Sequence, residues 1–221
     1  MHFFKSTSQQ PLIGQLLLAH GAGAGSQSAF MQNTATLLAA AGITTWLFDF
    51  DYMQRMTAEG GRRPPDRMPK LEVAFNTAIA EVFLSADFDS NLGLYIGGKS
   101  MGGRVATHLL SHKGLLEIDD TAYIKGGVIL GYPFIPVGKK AIRTEHFAEI
   151  GRPTLIVQGQ RDVFGGETLI TEINLPKLIS VRILADGDHS FKPRKSSGET
   201  LERNMQRMAN NIVEWICQPH S

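Results

Sequence analysis

Short apolar runs alternate with longer stretches of helical spacing along the whole 221-residue chain. Leu12–Ala19 (LIGQLLLA) is the first apolar run, and it ends in His20-Gly21 and a small-residue loop, AGAGSQS. Phe30–Ala41 then places Leu37, Leu38 and Ala41 on one side of a helix, with Gly42 as its stop. Ile43–Phe48 (ITTWLF) is β-branched and aromatic, hence a strand. Residues 49–69 read as a long polar loop containing GGRRPPDRMP. After Pro69, Leu71, Phe75, Ile79, Val82 and Phe83 recur at helical spacing.

The second half repeats the alternation. Leu92–Ile96 is a short strand, and Val105 and Leu109 belong to the helix after it. Gly127–Leu130 (GVIL), Thr154–Val157 (TLIV) and Val181–Leu184 (VRIL) are further apolar strands. A last helix covers roughly Glu199–Cys217, with Leu201, Met205, Met208, Ile212 and Trp215 as its buried stripe. Continuous apolar strands separated by helices predict a mostly parallel sheet covered on both faces. The expectation is one α/β domain spanning 1–221, without internal repeats.

One stretch carries two incompatible motifs. From Gly93 to Ser100, GLYIGGKS fits the phosphate loop pattern G-x-x-x-x-G-K-[ST]. From Gly98 to Gly102, GKSMG fits G-x-S-x-G, a sharp strand-to-helix turn that exposes a nucleophilic serine. The residues before Gly93, Ala-Asp-Phe-Asp-Ser-Asn, look like a loop, whereas Leu94, Tyr95 and Ile96 are strand material. The strand is therefore expected to end at Ile96 or Gly97, with the turn at Lys99-Ser100-Met101. That placement favours the nucleophile over the phosphate loop, and a nucleotidase becomes the remote alternative.

A lone serine is a weak nucleophile; it needs a base, and the base needs an orienting acid. The strand TLIV runs into Gln158-Gly-Gln-Arg-Asp162, and VRIL runs into Ala-Asp-Gly-Asp-His189. Parallel strands put their C-terminal ends on one edge of a sheet, so Ser100, Asp162 and His189 are expected to converge there. Asp186 and Asp188 compete with Asp162 for the acid's place. Two N–H donors would hold a developing oxyanion: that of Met101, after the nucleophile, and one from His20-Gly21-Ala22, taken as Ala22. Each is worth roughly 3 kcal/mol to a transition state.

Charge and composition narrow the classes. Lys plus Arg is 22 against 21 for Asp plus Glu, which argues against a nucleic-acid binder. The N-terminus has no signal-peptide core and no segment approaches the ~20 apolar residues that span a bilayer, so a cytoplasmic protein without membrane association is expected. The one thiol, Cys217, cannot pair internally and reads as a small, buried or half-buried hydrophobe. His108 and His112 have the spacing of a metal pair, but no third ligand is signalled, so no metal is expected. His20, in an HG motif, is expected to hydrogen-bond within its loop.

The combination HGAGAGS, FDFDY, GGKSMGGR, QGQRDVFG and DGDHSF resembles the α/β-hydrolase superfamily over nearly the whole chain. Within it, the chain is similar to a small, lidless, dienelactone-hydrolase-related group that includes bacterial predicted hydrolases and testis-expressed and chromatin-complex hydrolase-like proteins of animals. The resemblance implies a central, mostly parallel sheet and a triad at Ser100, Asp162 and His189. It leaves the substrate open. The opening strands of the superfamily are short or missing in residues 1–11.

Together these readings predict a serine hydrolase of small carboxylic esters or thioesters, without cofactor, as a monomer or homodimer. A catalytically inactive interaction module with the same fold is the alternative. Residues 132–152 leave room for little more than a short helix where relatives insert a lid, so an open site is expected. The arginine-rich segment 55–70 lies where it can overhang the site and favour an anionic acyl group, although a solvated arginine-rich loop is the favoured reading.

Overall fold

Successive strand residues point to opposite faces of a sheet, and here both faces are apolar. Leu16 and Leu18 join one core cluster while Leu17 and Ala19 join the other. Val128 and Leu130 are likewise separated from Ile129, and Leu155 and Val157 from Ile156. Such strands are stable only between two helical layers. The computed structural model describes residues 3–8, 10–111, 121–136, 138 and 141–219. His112, which has the spacing of a metal pair with His108, lies outside them.

Seven strands form one sheet: β1 (Phe3–Ser6), β2 (Gly14–Ala19), β3 (Ile43–Phe48), β4 (Leu94–Lys99), β5 (Ile124–Leu130), β6 (Thr154–Gly159) and β7 (Ile179–Leu184). Their order is β1-β3-β2-β4-β5-β6-β7. All pairings are parallel except β1 with β3, where Phe3 lies opposite Phe48 and Ser6 opposite Thr45. The first edge is thus a short antiparallel strand, within a segment too brief and mixed to signal one.

The helices are α1 (Ala29–Ala40), α2 (Asp51–Glu59), α3 (Met68–Phe83), α4 (Met101–Leu110), α5 (Glu167–Glu172) and α6 (Leu201–Cys217). Met31, Ala35 and Leu38 of α1 pack with Met205, Met208 and Ile212 of α6 on one face. Leu71, Phe75 and Ile79 of α3 pack with Val105 and Leu109 of α4 on the other. Gly42 stops α1 with φ +94°, a conformation that favours glycine. The Thr200 hydroxyl accepts from the Arg203 N–H and caps α6.

Four expectations need correction. The supposed loop 49–69 contains α2, whose buried residues Tyr52 and Met53 are too few to give a sequence period. Strand β4 runs on to Lys99, because Gly97, Gly98 and Lys99 pair with Val128, Ile129 and Leu130. Leu201 is 38% exposed, since the buried stripe of α6 begins at Asn204. Cys217 is exposed, lying past the last buried residue of the same stripe, Trp215. Among the described residues, no helix is long and apolar enough to cross a membrane.

Candidate active site

The turn after β4 is where the backbone is tightest. Ser100 has φ +51° and ψ −110°, a strained conformation for a residue with a side chain. Its N–H donates to the Leu130 carbonyl (2.9 Å), and its carbonyl accepts the first helical bond, from Arg104. Glycine is required on both sides of this elbow. A Cβ on Gly98 would lie 2.5 Å from the Ala19 carbonyl oxygen, and one on Gly102 would lie 2.5 and 2.6 Å from those of Ala19 and His20. The close approach of β2, β4 and α4 leaves no room for a side chain. Because Leu94–Ile96 are strand, the residues of the phosphate loop pattern form no phosphate cradle.

The structure brings Ser100, Asp162 and His189 together. His189, on the loop between β7 and α6, has Nε2 2.8 Å from the Ser100 Oγ. Its Nδ1 is 2.7 Å from the Asp162 Oδ2. Asp162 follows β6 and is 4% exposed, so its charge is shielded from water. Its Oδ1 accepts from the Phe164 N–H (2.8 Å) and its Oδ2 from Gln158 Nε2 (2.9 Å). The two contacts place the imidazole between the carboxylate and the serine hydroxyl, one ring nitrogen facing each. The ring of Phe164 meets the imidazole edge-on at 4.5 Å.

The competing acids are committed elsewhere. Asp186 takes Arg194 Nε (2.9 Å), Arg194 Nη2 (2.5 Å) and the Arg194 N–H (2.6 Å), with Arg161 Nε 2.9 Å away. Those Arg194 hydrogen bonds, above all, hold its carboxyl down at about 2. Asp188 Oδ1 accepts from the N–H groups of Ser190 (2.8 Å) and Lys192 (3.0 Å), shaping the loop that carries His189.

Ala22 and Met101 flank Ser100 in the wall of the same cleft. Met101 is the first residue of α4, so its N–H has no intrahelical acceptor. The Ala22 loop is pinned by the Tyr52 hydroxyl, which donates to the Ala22 carbonyl (3.1 Å), and by Asp49, which accepts from the Ser26 N–H (2.6 Å). His20 is fully buried; Nε2 accepts from the Phe50 N–H (3.1 Å) and Nδ1 contacts the Gly21 carbonyl (2.6 Å). Burial lowers its pKa and keeps it neutral. It holds the loop and is remote from proton transfer.

Two residues outside the predicted triad support the constellation. Gln158, fully buried, also accepts from the Tyr132 N–H (2.7 Å) and so ties Asp162 to the end of β5. Lys99 is 8% exposed and directs Nζ at the His189 carbonyl (2.6 Å), with the Phe30 ring centroid 5.5 Å away. Burial pushes its ammonium down to about 8, against the pull of Asp162 and Asp188. Lys99 adjoins the predicted nucleophile in sequence, whereas no sequence pattern marks Gln158 as a partner of Asp162.

Ser100 opens onto two clefts. One, of about 330 Å³, is bounded by Phe30, Lys99 and His189; the other, of about 620 Å³, by Met101, Arg104 and Arg143. Residues 132–152 add only a short 3-10 turn, Glu145–Glu149, among the described residues, so the site stays open to solvent.

A parallel sheet sandwiched between helices, with a serine on a glycine-flanked elbow, defines the α/β-hydrolase class. Residues 13–217 match the family described as Alpha/beta hydrolase domain, and the chain belongs to that family. Its fold is similar to that of dienelactone hydrolase from Anabaena variabilis: TM-score 0.68, 18% identity, covering 96% of this chain and 89% of that one. A serine hydrolase without lid from Xanthomonas campestris has a TM-score of 0.68 at 15% identity, over 99% of this chain and 90% of its own. Est1E from Butyrivibrio proteoclasticus has a TM-score of 0.65 at 15% identity, covering 98% and 94%. The resemblance to lidless, dienelactone-hydrolase-related proteins therefore extends to the fold.

Proposed function

We propose that this chain is a serine hydrolase of small carboxylic esters or thioesters, with Ser100 as nucleophile, His189 as base and Asp162 as orienting acid. The observation that carries the reading is the continuous hydrogen-bonded chain from Ser100 Oγ through His189 to Asp162. As Oγ attacks the carbonyl carbon, His189 Nε2 takes its proton, and the buried Asp162 carboxylate stabilises the imidazolium. The N–H groups of Met101 and Ala22 hold the oxyanion. Collapse of the tetrahedral species transfers the proton from Nε2 to the leaving oxygen or sulfur and leaves the acyl group on Ser100. Water then gives its proton to His189, attacks the acyl carbon and releases the acid with regenerated serine. The family membership and the esterase-like fold neighbours support the class of reaction.

A fluorophosphonate probe is expected to label the wild type and not Ser100→Ala, and acyl nitrophenyl esters are expected to be turned over only by the wild type. Equal labelling of the two proteins would refute the nucleophile. Labelling without turnover of any ester or thioester in a broad panel would favour the non-catalytic module.

A further inference from the structure

The larger cleft holds charges that the proposed chemistry leaves unused. Arg104 lies one helical turn beyond Ser100 on α4, and Arg143 faces it from the connection between β5 and β6. The backbone of Arg143 is fixed at both groups: its N–H donates to the Phe134 carbonyl (2.8 Å) and its carbonyl accepts from the Tyr132 hydroxyl (2.6 Å). Among the described residues, neither guanidinium forms an ion pair with a carboxylate, although Glu145 attracts Arg143, Glu72 attracts Arg104, and Arg104 also hydrogen-bonds the Tyr132 side chain. Arg104 Nε is buried without a hydrogen-bond partner. Burial, and then the charge of Arg104, lowers the pKa of Arg143. Two cations that line one cleft beside Ser100, neither in an ion pair, suit an anion between them.

The arginines of segment 55–70 do not supply this charge. Arg55 and Lys70 are engaged with Asp66 (3.4 and 3.3 Å) and Arg63 with Glu59, and the segment's cleft-lining residues are Pro65, Asp66 and Met68.

Position relative to His189 fixes which part of a substrate meets the pair. The leaving group must lie where His189 Nε2 can protonate it, and His189 borders the smaller, mostly apolar cleft and not the larger one. The acyl chain is thereby directed into the cleft of Arg104 and Arg143. A carboxylate offers two oxygens to the planar guanidinium forks, the bidentate match that arginine favours. Resting on the serine-hydrolase reading, we propose that Arg104 and Arg143 form an acyl-side carboxylate subsite, and that the substrates are monoesters or monothioesters of small dicarboxylic acids.

The test compares mono-4-nitrophenyl adipate with its neutral methyl ester. The wild type is expected to favour the acid at least tenfold in kcat/KM. That ratio is expected to fall at least tenfold in Arg104→Gln and in Arg143→Gln, chiefly through KM, and to be unmoved in Arg63→Gln. Arg143→Lys, which keeps the charge, should recover part of it and guards against a folding defect. A wild-type ratio of one or less, or a ratio that neither glutamine variant changes, would overturn the proposal. Calorimetry on Ser100→Ala with adipic acid monomethyl ester gives a second readout independent of turnover, with binding expected to weaken at least tenfold when Arg143→Gln is added. Binding that behaves so in a protein whose wild type hydrolyses neither ester would sink the hydrolase reading and leave the subsite standing. No binding, or binding indifferent to Arg143→Gln, would sink the subsite. Tighter binding of a phosphonate-terminated acid of equal length would overturn the carboxylate assignment.

Discussion

The ammonium of Lys99 donates a hydrogen bond to the backbone carbonyl of His189 across 2.6 Å, so the residue before the elbow serine holds the histidine's loop from beneath. The strand leading to Ser100 and the loop bearing His189 are thereby tied through the Lys99 bond to the main chain as well as through the Ser100–His189 contact. Lys99→Met removes that lock. Activity is expected to fall roughly ten- to a hundredfold, the scale of a small displacement of a catalytic group, with kcat falling more than KM rises. An unchanged kcat would show that the hydrogen bond does not position His189.

The same lysine has a thermodynamic signature. Its folded pKa, about 8, lies below its ordinary value of 10.5, so between these values the unfolded chain binds more protons and stability rises with pH. Chemical denaturation from pH 8 to pH 10 should show this rise in the wild type and a smaller one in Lys99→Met. Parallel curves for the two proteins would contradict the burial-driven shift.

Gln158 joins Asp162 to Tyr132 inside the sheet's edge. Gln158→Leu strands the Tyr132 N–H and deprives Asp162 of a donor, each loss costing about 1–3 kcal/mol in a buried setting. The expectation is a lower melting temperature together with a loss of ester turnover. Wild-type values of both would show that the Phe164 N–H and His189 suffice to hold the carboxylate.

Gly102→Ala probes the elbow's clearance. A Cβ 2.5 Å from one carbonyl oxygen and 2.6 Å from another cannot be relieved by rotating a side chain, because both atoms are backbone. The helix start must move away from the Ala22 loop, at a cost of about 1–3 kcal/mol or more. Near-complete loss of activity is expected even where the protein still folds; a fully active variant with a wild-type melting temperature would show the contact to be soft.

His108 and His146 stack at 3.9 Å between Arg104, Glu72 and Glu145. Burial lowers His108 to about 4, and burial with the neighbouring histidine lowers His146 to about 3. Both remain neutral when folded but protonate near pH 6.5 when unfolded. Stability is therefore expected to fall as the pH drops from about 6.5 to 4. His146→Gln should flatten the decline in a pH series of thermal melts, and an equally steep slope would exclude the pair as its source.

The sequence by itself determined the class of sheet and the order of the candidate site residues along it. LIGQLLLA, ITTWLF and TLIV carry apolar residues on both alternating sets of positions, which a sheet buried on both faces accommodates, and the G-x-S-x-G spacing encodes a local clearance that needs no distant partner. Asp162 and His189 were legible because the C-terminal end of a parallel strand is a position that a strand's own length marks. Helix α2 escaped because its buried contacts, Tyr52 and Met53, are too sparse to set a period, and β1 because its pairing with β3 is non-local. Only the tertiary structure separated Asp162 from Asp186 and Asp188, by placing Arg194 against one and loop N–H groups against the other. It alone set Lys99 beneath His189, 90 residues away, and Arg104 opposite Arg143. Such meetings depend on the packing of elements far apart in the chain, which no local pattern of apolar and polar residues records.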